Sequence, residues 1–228
     1  MTRFIEAVLA AGTPVIAEIK PRTGDGADLL RGRGPGSLAR AYAQAGAACL
    51  SVVTGKWFGG SLELLGTVAA ETGLPLLRKD FITRERHIDE SGADAVLLTA
   101  ALLPAGTLRR LITHALRSGV TPFVEVTGEA ELAAVPHQED CVIAVNNKDI
   151  RVRERDPADL GRSARLLPAL LAGGTPCPVS ASGIDTPEQG AELLAAGYAG
   201  LLIGTALLRS GSPDDWFAGL RKGSEVTP

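Results

Sequence analysis

The chain has 228 residues, of which 45% are hydrophobic, and its formal net charge at pH 7 is −3. A chain of this length buries enough apolar surface for one core, so we expect a single domain over residues 1–228. Because Lys and Arg are nowhere concentrated as a phosphate backbone would require, the composition argues against nucleic acid as a partner. No apolar run reaches the roughly 18 residues of a membrane span, and no cleavable leader precedes the first predicted strand.

The cysteines and histidines show no metal-binding pattern. Cys49, Cys141 and Cys177 lie in apolar runs, and three thiols cannot all pair with one another. We therefore expect buried, reduced cysteines, which suit a cytoplasmic protein. No grouping of His, Asp and Glu has metal-ligand spacing, and the sequence contains neither a phosphate-loop nor a nucleophile-elbow motif. The sequence thus predicts neither a metal nor a cofactor.

Short apolar segments alternate with Ala- and Leu-rich segments of helical spacing, which is the pattern of repeated βα units. Because the apolar segments are hydrophobic throughout, they are typical of parallel strands covered on both faces. Eight such units in a chain of this length favour one closed (β/α)8 barrel, a TIM barrel of the α/β class, over an open doubly wound sheet. The predicted strands are residues 14–19, 47–53, 75–77, 95–98, 121–126, 142–146, 178–180 and 200–203.

Helical segments are predicted between these strands. Several of these helices are expected to begin with a capping residue followed by a proline in the first turn. The predicted N-caps are Asp156, Thr186 and Ser212. Residues 22–36 are rich in Gly and Arg and follow the first strand, so we expect a long, mobile loop on the active face. The predicted helices are residues 37–44, 61–71, 84–91, 104–118, 129–135, 157–171, 187–196 and 213–221.

Four charged residues stand at the ends of predicted strands, where a barrel of this kind carries its active site. Glu18 and Lys20 close the first strand and share one side of it, Lys79 follows the third strand and Glu125 lies in the fifth. A buried charge is costly alone, so we expect the four side chains to form one polar cluster. The alternative is a purely structural ion-pair network.

Two further features lie close to these charges in the sequence, a charged pair and a glycine-containing aromatic segment. Arg78 and Asp80 alternate with Lys79 and are expected to form an outward structural pair. The segment WFGGS at residues 57–61 is expected to pack over the barrel mouth or to form an apolar wall for a ring-bearing substrate.

Glycines after the last two strands indicate a phosphate site. Gly183 follows the seventh strand, and Gly204 and Thr205 follow the eighth. Such glycines let the backbone approach an anion closely, and following helices direct N–H groups towards it. Ordinary turn geometry is the alternative explanation for each glycine taken singly.

The strand-end motifs together resemble the indole-3-glycerol-phosphate synthase family over nearly the whole chain. The resemblance implies ring closure of 1-(o-carboxyphenylamino)-1-deoxyribulose 5-phosphate with loss of carbon dioxide and water. It implies Lys79 as general acid, Glu125 as its acid/base partner, Lys20 as the ligand of the substrate carboxylate and Glu18 as the group that orients Lys20. The motifs are PVIAEIK (14–20), SVVTGKWFGGS (51–61), PLLRKDFI (75–82), PFVEV (122–126), AVNNKDI (144–150), VSASGI (179–184) and LLIGTALLR (201–209).

The resemblance also implies how the substrate is held. Asn146, Ser182, Phe81 and Lys148 would bind the substrate. The phosphate would lie on Gly183, Gly204 and Thr205. The expected partner is therefore a small phosphorylated arylamino sugar, bound without a cofactor by a monomer or homodimer.

The sequence departs from the family pattern in three places. Ala181 stands where the family carries a Glu, Thr23-Gly24-Asp25 replaces the usual SPS-type segment, and only 13 residues precede the first predicted strand, without the family's N-terminal extension. Two alternatives follow: an isomerase or lyase acting on another sugar phosphate, and a non-catalytic barrel that binds phosphorylated metabolites.

Overall fold

A computed structural model describes residues 1–152 and 157–226, and its eight parallel strands form one closed barrel. Each strand pairs with the next along the chain, and the eighth pairs with the first. The predicted (β/α)8 barrel is therefore confirmed. The strands are β1 (Val15–Ile19), β2 (Cys49–Val53), β3 (Leu76–Lys79), β4 (Ala95–Thr99), β5 (Thr121–Val126), β6 (Val142–Asn146), β7 (Cys177–Ala181) and β8 (Gly200–Ile203).

Ten α-helices in the described ranges surround the barrel or close its ends. Short 3-10 turns at Lys56–Phe58, Ala100–Leu102, Gln138–Asp140 and Ile150–Val152 lie in the connections. No helix in this part of the chain is both long and apolar enough to cross a membrane. The helices are α1 (Arg3–Ala10), α2 (Pro35–Ala45), α3 (Leu62–Glu71), α4 (Arg86–Asp89), α5 (Ala105–Arg117), α6 (Glu129–Ala133), α7 (Gly161–Ala172), α8 (Pro187–Ala196), α9 (Thr205–Arg209) and α10 (Pro213–Val226).

Two helices were not predicted. Helix α1 buries Phe4, Ile5 and Val8, and the Phe4 ring meets Phe123 edge-on at 6.2 Å inside the barrel. It therefore closes the end of the barrel opposite the site, a role that an isolated amphipathic segment does not reveal. Helix α9 has only five residues, which is too short for a periodic pattern to be recognised.

The predicted helix ends are partly confirmed. Thr186 accepts the N–H of Gln189 in a reciprocal capping box, and Ser212 Oγ accepts the N–H of Asp215 at 3.3 Å. Helix α7 begins at Gly161, later than the predicted residue 157. The predicted cap Asp156 lies outside the described residues.

Alternation along the strands separates two apolar clusters. One fills the barrel interior and includes Ile16, Leu77 and Phe123, whereas the other lies between the strands and the outer helices. All three cysteines are buried and free, and burial raises the pKa of each thiol. In the described part of the chain, the buried Glu18, Lys20 and Glu125 lie at or near the carboxyl ends of their strands, which places the candidate site at one mouth of the barrel.

The loop after β1 is anchored to the barrel. Leu29 is 2% exposed, and its N–H donates to the Pro21 carbonyl at 2.8 Å. The Arg33 guanidinium donates to the carbonyls of Leu29 and Leu30. Thr23 forms a tight turn in which its N–H donates to Ala27. The loop reaches the active face, as predicted, while its mobility stays a prediction.

The turn after the Lys56–Phe58 element allows a stability test. A Cβ on buried Gly60 would lie 2.1 Å from the Val53 carbonyl oxygen, whereas exposed Gly66 in α3 has open space around it. We expect Gly60→Ala to lower the free energy of unfolding by about 1–3 kcal/mol, because backbone atoms must move. Gly66→Ala should raise it by about 0.5–1 kcal/mol. Urea denaturation measures both, and equal effects would contradict the account.

Candidate active site

A buried carboxylate lies between two ammonium groups at the centre of the barrel mouth. Glu18 Oε1 lies 3.2 Å from Lys20 Nζ, and Glu18 Oε2 lies 3.0 Å from Lys79 Nζ. The Glu18 side chain is 2% exposed, and the two lysines are 8% and 12% exposed. Glu18 and Lys20 reach each other because they share the inward face of β1, as predicted.

The environment of Glu18 fixes its charge. Burial raises the pKa of this carboxyl. The Lys79 and Lys20 ammonium groups together lower it by more than burial raises it, and the resulting pKa is about 2. Glu18 is therefore ionised throughout the neutral range. The negative charge of Glu18 therefore compensates both buried lysines.

Glu125 completes the predicted cluster. Its Oε1 lies 3.9 Å from Lys79 Nζ, and its side chain is 2% exposed on β5. Lys79 thus stands between two carboxylates that belong to β1 and β5. An ammonium group between two carboxylates can deliver a proton and recover it, which is the arrangement that general acid–base chemistry requires.

An apolar pocket opens beside this cluster. Phe58 and Phe81 form part of its wall, and the Lys20 Nζ lies 5.5 Å from the centre of the Phe58 ring. The Trp57 ring packs against Phe81 with 4.9 Å between centroids and a tilt of 60°, and Trp57 is 58% exposed at the mouth. Phe58 of the WFGGS segment therefore forms part of an apolar wall at the barrel mouth. The remaining wall is formed by Val53, Gly55, Asp80, Leu97, Thr99 and Ile150.

A second, wider cleft shares Glu18, Lys20 and Lys79 with the apolar pocket. The predicted phosphate residues line it, and so do two cations beyond the cluster, Lys148 and Arg209. Lysine and arginine side chains near exposed backbone N–H groups suit an anion such as phosphate. The predicted residues that line this cleft are Lys148, Ser182, Gly183, Gly204 and Thr205.

Gly204 has a second role beside backbone approach to an anion. A Cβ at this position would lie 2.5 Å from Glu18 Oε1 and 3.2 Å from Glu18 Cβ. The glycine therefore leaves the space that the Glu18 carboxylate occupies. This packing requirement was not recognised from the sequence, where Gly204 was interpreted only through phosphate.

Asn147 fixes the loop that carries Ser182 and Gly183. Its Nδ2 donates to Ser180 Oγ and to the carbonyls of Ala181 and Ser182, each at 3.1 Å. Ser182 and Gly183 both have a positive φ, of 66° and 72°. A non-glycine residue in that region is uncommon, so the three donated bonds hold an unfavourable turn in place.

The other predicted residues occupy distinct places. Asn146 is 1% exposed at the end of β6, where its Oδ1 accepts the Lys148 N–H, and it lines neither cavity. Ala181 faces the interior next to it in register, so no carboxylate enters from β7. Arg78 and Asp80 form the predicted pair at 3.3 Å, but Asp80 lines the apolar pocket, so the prediction that both face outward is wrong for Asp80.

Sequence reasoning missed three contributors to the site: Asn147, Arg209 and Thr99. The second asparagine of the NNK segment was the only available sign of Asn147, because hydrogen bonds to a neighbouring loop have no sequence pattern. Arg209 ends the five-residue helix α9, and Thr99 ends the strand β4. The sequence does not show that these two residues line the cavities.

The Glu18 charge predicts a pH dependence of stability. Its folded pKa of about 2 lies below the ordinary 4.5, so its contribution is present above pH 4.5 and is lost as the pH falls towards 2. We expect Glu18→Gln to lower the free energy of unfolding at pH 7 by about 3 kcal/mol. This deficit should shrink between pH 4.5 and 2, as urea denaturation at several pH values measures.

Glu192→Gln is the matched control for that series, because Glu192 is exposed on α8. Its free energy of unfolding should follow the wild type at every pH. A deficit of Glu18→Gln that stays constant down to pH 2 would contradict the assigned charge.

Known proteins resemble this chain over most of its length. The family model described as "Indole-3-glycerol phosphate synthase" matches residues 1–217. Proteins named indole-3-glycerol phosphate synthase from Pyrococcus furiosus and Thermococcus kodakarensis are 40% and 38% identical, over 90% and 93% of this chain and 90% and 92% of their own lengths. "Indole-3-glycerol phosphate synthase 2" from Streptomyces coelicolor is 37% identical over 95% of this chain and 84% of its own. This chain therefore belongs to the indole-3-glycerol phosphate synthase family.

Proposed function

We propose that the protein closes the indole ring of indole-3-glycerol phosphate from 1-(o-carboxyphenylamino)-1-deoxyribulose 5-phosphate, releasing carbon dioxide and water. The observation that carries this proposal is the position of Lys79. Its ammonium group lies within 4 Å of both Glu18 and Glu125, where the apolar pocket meets the wider cleft. A substrate with a ring at one end and a phosphate at the other has its reacting ketone between the two.

The two cavities orient the substrate. The ring enters the apolar pocket against Phe58 and Phe81, and its carboxylate faces the Lys20 ammonium. The phosphate lies in the wider cleft, where Lys148 and the backbone at Gly183 supply positive charge and N–H donors. This orientation brings the sugar ketone towards Lys79 and holds the reacting carbons close together. Ser182, Gly204 and Thr205 complete the phosphate end, while Asn146 is proposed to reach the substrate from β6.

Ring closure needs a proton at the ketone oxygen. The ring carbon that carries the carboxylate forms a bond to the ketone carbon, and Lys79 donates the proton that converts its oxygen to a hydroxyl. The carboxylate then leaves as carbon dioxide, and the electrons of its carbon–carbon bond restore the aromatic ring. Glu18 keeps a negative charge beside Lys79 and Lys20, which orients both ammonium groups.

Dehydration completes the indole. The new hydroxyl leaves as water after it receives a proton, and the neighbouring methylene carbon loses a proton as the double bond forms. Glu125 is the acid/base partner for this exchange, since its carboxylate lies 3.9 Å from the Lys79 ammonium group. Ala181 adds no carboxylate here, so these proton transfers fall to Glu125 and Lys79.

Two alternatives are weaker. A barrel that only binds phosphorylated metabolites would gain little from four buried charges that approach one another within 4 Å. An isomerase or lyase on a simple sugar phosphate would not need the apolar pocket at Phe58 and Phe81. We further propose that the enzyme works without a cofactor in the cytoplasm, as a monomer or homodimer, and its three free cysteines suit that compartment.

The Lys79 assignment predicts a large catalytic loss. We expect Lys79→Ala to lower kcat by about 10²–10⁴-fold, because the positioned proton donor is removed. Indole fluorescence measures product formation from the carboxyphenylamino-deoxyribulose phosphate. Lys56→Ala is the matched control, because Lys56 is exposed and lines neither cavity. A Lys79→Ala protein with wild-type kcat would refute the assignment.

The contact between Gly204 and Glu18 predicts a positioning effect. Gly204→Ala should push the Glu18 carboxylate from its place between the lysines and lower kcat/KM by about 100-fold, as small misplacements in catalytic sites do. Gly211→Ala, at an exposed position with open space, should keep wild-type activity. Equal activity of the two variants would show that Glu18 does not depend on this space.

A further inference from the structure

Arg209 adds a positive charge to the wider cleft. It is the last residue of α9, is exposed and lines the cleft together with Lys148. Within residues 1–152 and 157–226, its guanidinium forms no hydrogen bond and no ion pair within 4 Å. Its N–H donors are therefore open to a ligand that enters the cleft.

The backbone that carries Arg209 is held against the loop after β1. The Arg33 guanidinium donates to the carbonyl of Leu208, the residue before Arg209, and also to the carbonyls of Leu29 and Leu30. Leu208 is buried at 1% exposure. The Arg209 side chain therefore starts from an anchored position beside the same loop that borders the cleft.

That loop brings a carboxylate to the cleft as well. Asp25 is exposed and lines the cleft, and its carboxylate accepts a hydrogen bond from the Thr23 hydroxyl. The Thr23 hydroxyl, backbone N–H groups of the loop and the Arg209 charge all lower the pKa of the Asp25 carboxyl. Asp25 is thus ionised at neutral pH, and the Arg209 charge lies close enough to act on it.

The balance of charges in the cleft makes Arg209 important for an anion. Without Arg209 the cleft would be lined by as many carboxylates as ammonium groups. Glu18 already compensates Lys20 and Lys79 through direct contacts, so a phosphate dianion depends on the cations farther along the cleft. The cations that line the cleft are Lys20, Lys79, Lys148 and Arg209, and the carboxylates are Glu18, Asp25 and Asp185.

We propose that Arg209 binds the phosphate group of the substrate in the wider cleft, and that Asp25 lowers the affinity of this end for the phosphate. The inference rests on the proposed ring closure and adds a cation and an opposing anion to its phosphate end. The planar guanidinium offers paired N–H donors that match phosphate oxygens. Asp25 carries the same sign of charge as the phosphate, so it weakens binding by repulsion.

The test compares the phosphorylated and dephosphorylated forms of the ketone-reduced substrate analogue by calorimetry. Arg209→Ala should raise the Kd of the phosphorylated form about tenfold, the loss of one charge-assisted hydrogen bond, and leave the Kd of the dephosphorylated form unchanged. Asp25→Asn should lower the Kd of the phosphorylated form about threefold, as expected when an exposed like charge is removed. High salt should reduce the effect of Asp25→Asn.

Arg109→Ala and Asp140→Asn are the matched controls. Each removes the same charge at an exposed position that lines neither cavity, so both should keep the wild-type Kd values. An unchanged Kd of the phosphorylated form in Arg209→Ala would overturn the proposal. An equal loss for both forms would also overturn it, because that result indicates a general structural effect. A wild-type Kd in Asp25→Asn would refute the role of Asp25.

The proposed function fails separately from this inference. If the wild type binds the analogue but forms no indole product from the unreduced substrate, ring closure is refuted, while the two Kd values still test Arg209. If the wild type binds neither form, inorganic phosphate is the probe. Its Kd should then rise about tenfold in Arg209→Ala, and an unchanged Kd would overturn the proposal.

Discussion

The Glu18 carboxylate between Lys20 and Lys79 is the interaction on which the site depends. Two ammonium groups this deep in a barrel need a nearby negative charge, since an unpaired buried cation is strongly destabilising. Glu18 supplies it from the same strand as Lys20, and Gly204 leaves the space for its carboxylate. The same contacts that offset the cost of burying the two lysines also hold both ammonium groups beside one carboxylate. A change at Glu18 should therefore affect both the stability of the fold and the proposed chemistry.

The barrel geometry also determines where the two cavities lie. Residues after β2 and β3 form the apolar side, whereas residues after β6, β7 and β8 form the cleft side. Both cavities meet at the cluster because the carboxyl ends of all eight strands open on one face. Asn147 keeps the β7 loop in its positive-φ turn through three donated hydrogen bonds. The apolar pocket and the cleft are therefore adjoining cavities at one end of the barrel, with Glu18, Lys20 and Lys79 in common.

Sequence patterns predicted the barrel and its charged cluster because both follow from periodicity and burial. Uniformly apolar segments indicated parallel strands, and charges such as Lys79 and Glu125 at their ends had to compensate one another. Asn147 and Arg209 could not be found in this way, since their importance depends on which distant segments lie beside them. Helix α1 was not predicted, because its apolar face packs against the end of the barrel and that contact cannot be identified from the sequence.

The central claim is that one molecule spans both cavities with its ketone at Lys79. A crystal structure with the ketone-reduced substrate analogue tests it most directly. The account predicts the ring against Phe58 and Phe81, the phosphate beside Gly183 and Gly204, and the reduced oxygen within hydrogen-bond distance of Lys79 Nζ. An analogue whose ring lies outside the apolar pocket, or whose phosphate binds away from the cleft, would contradict it.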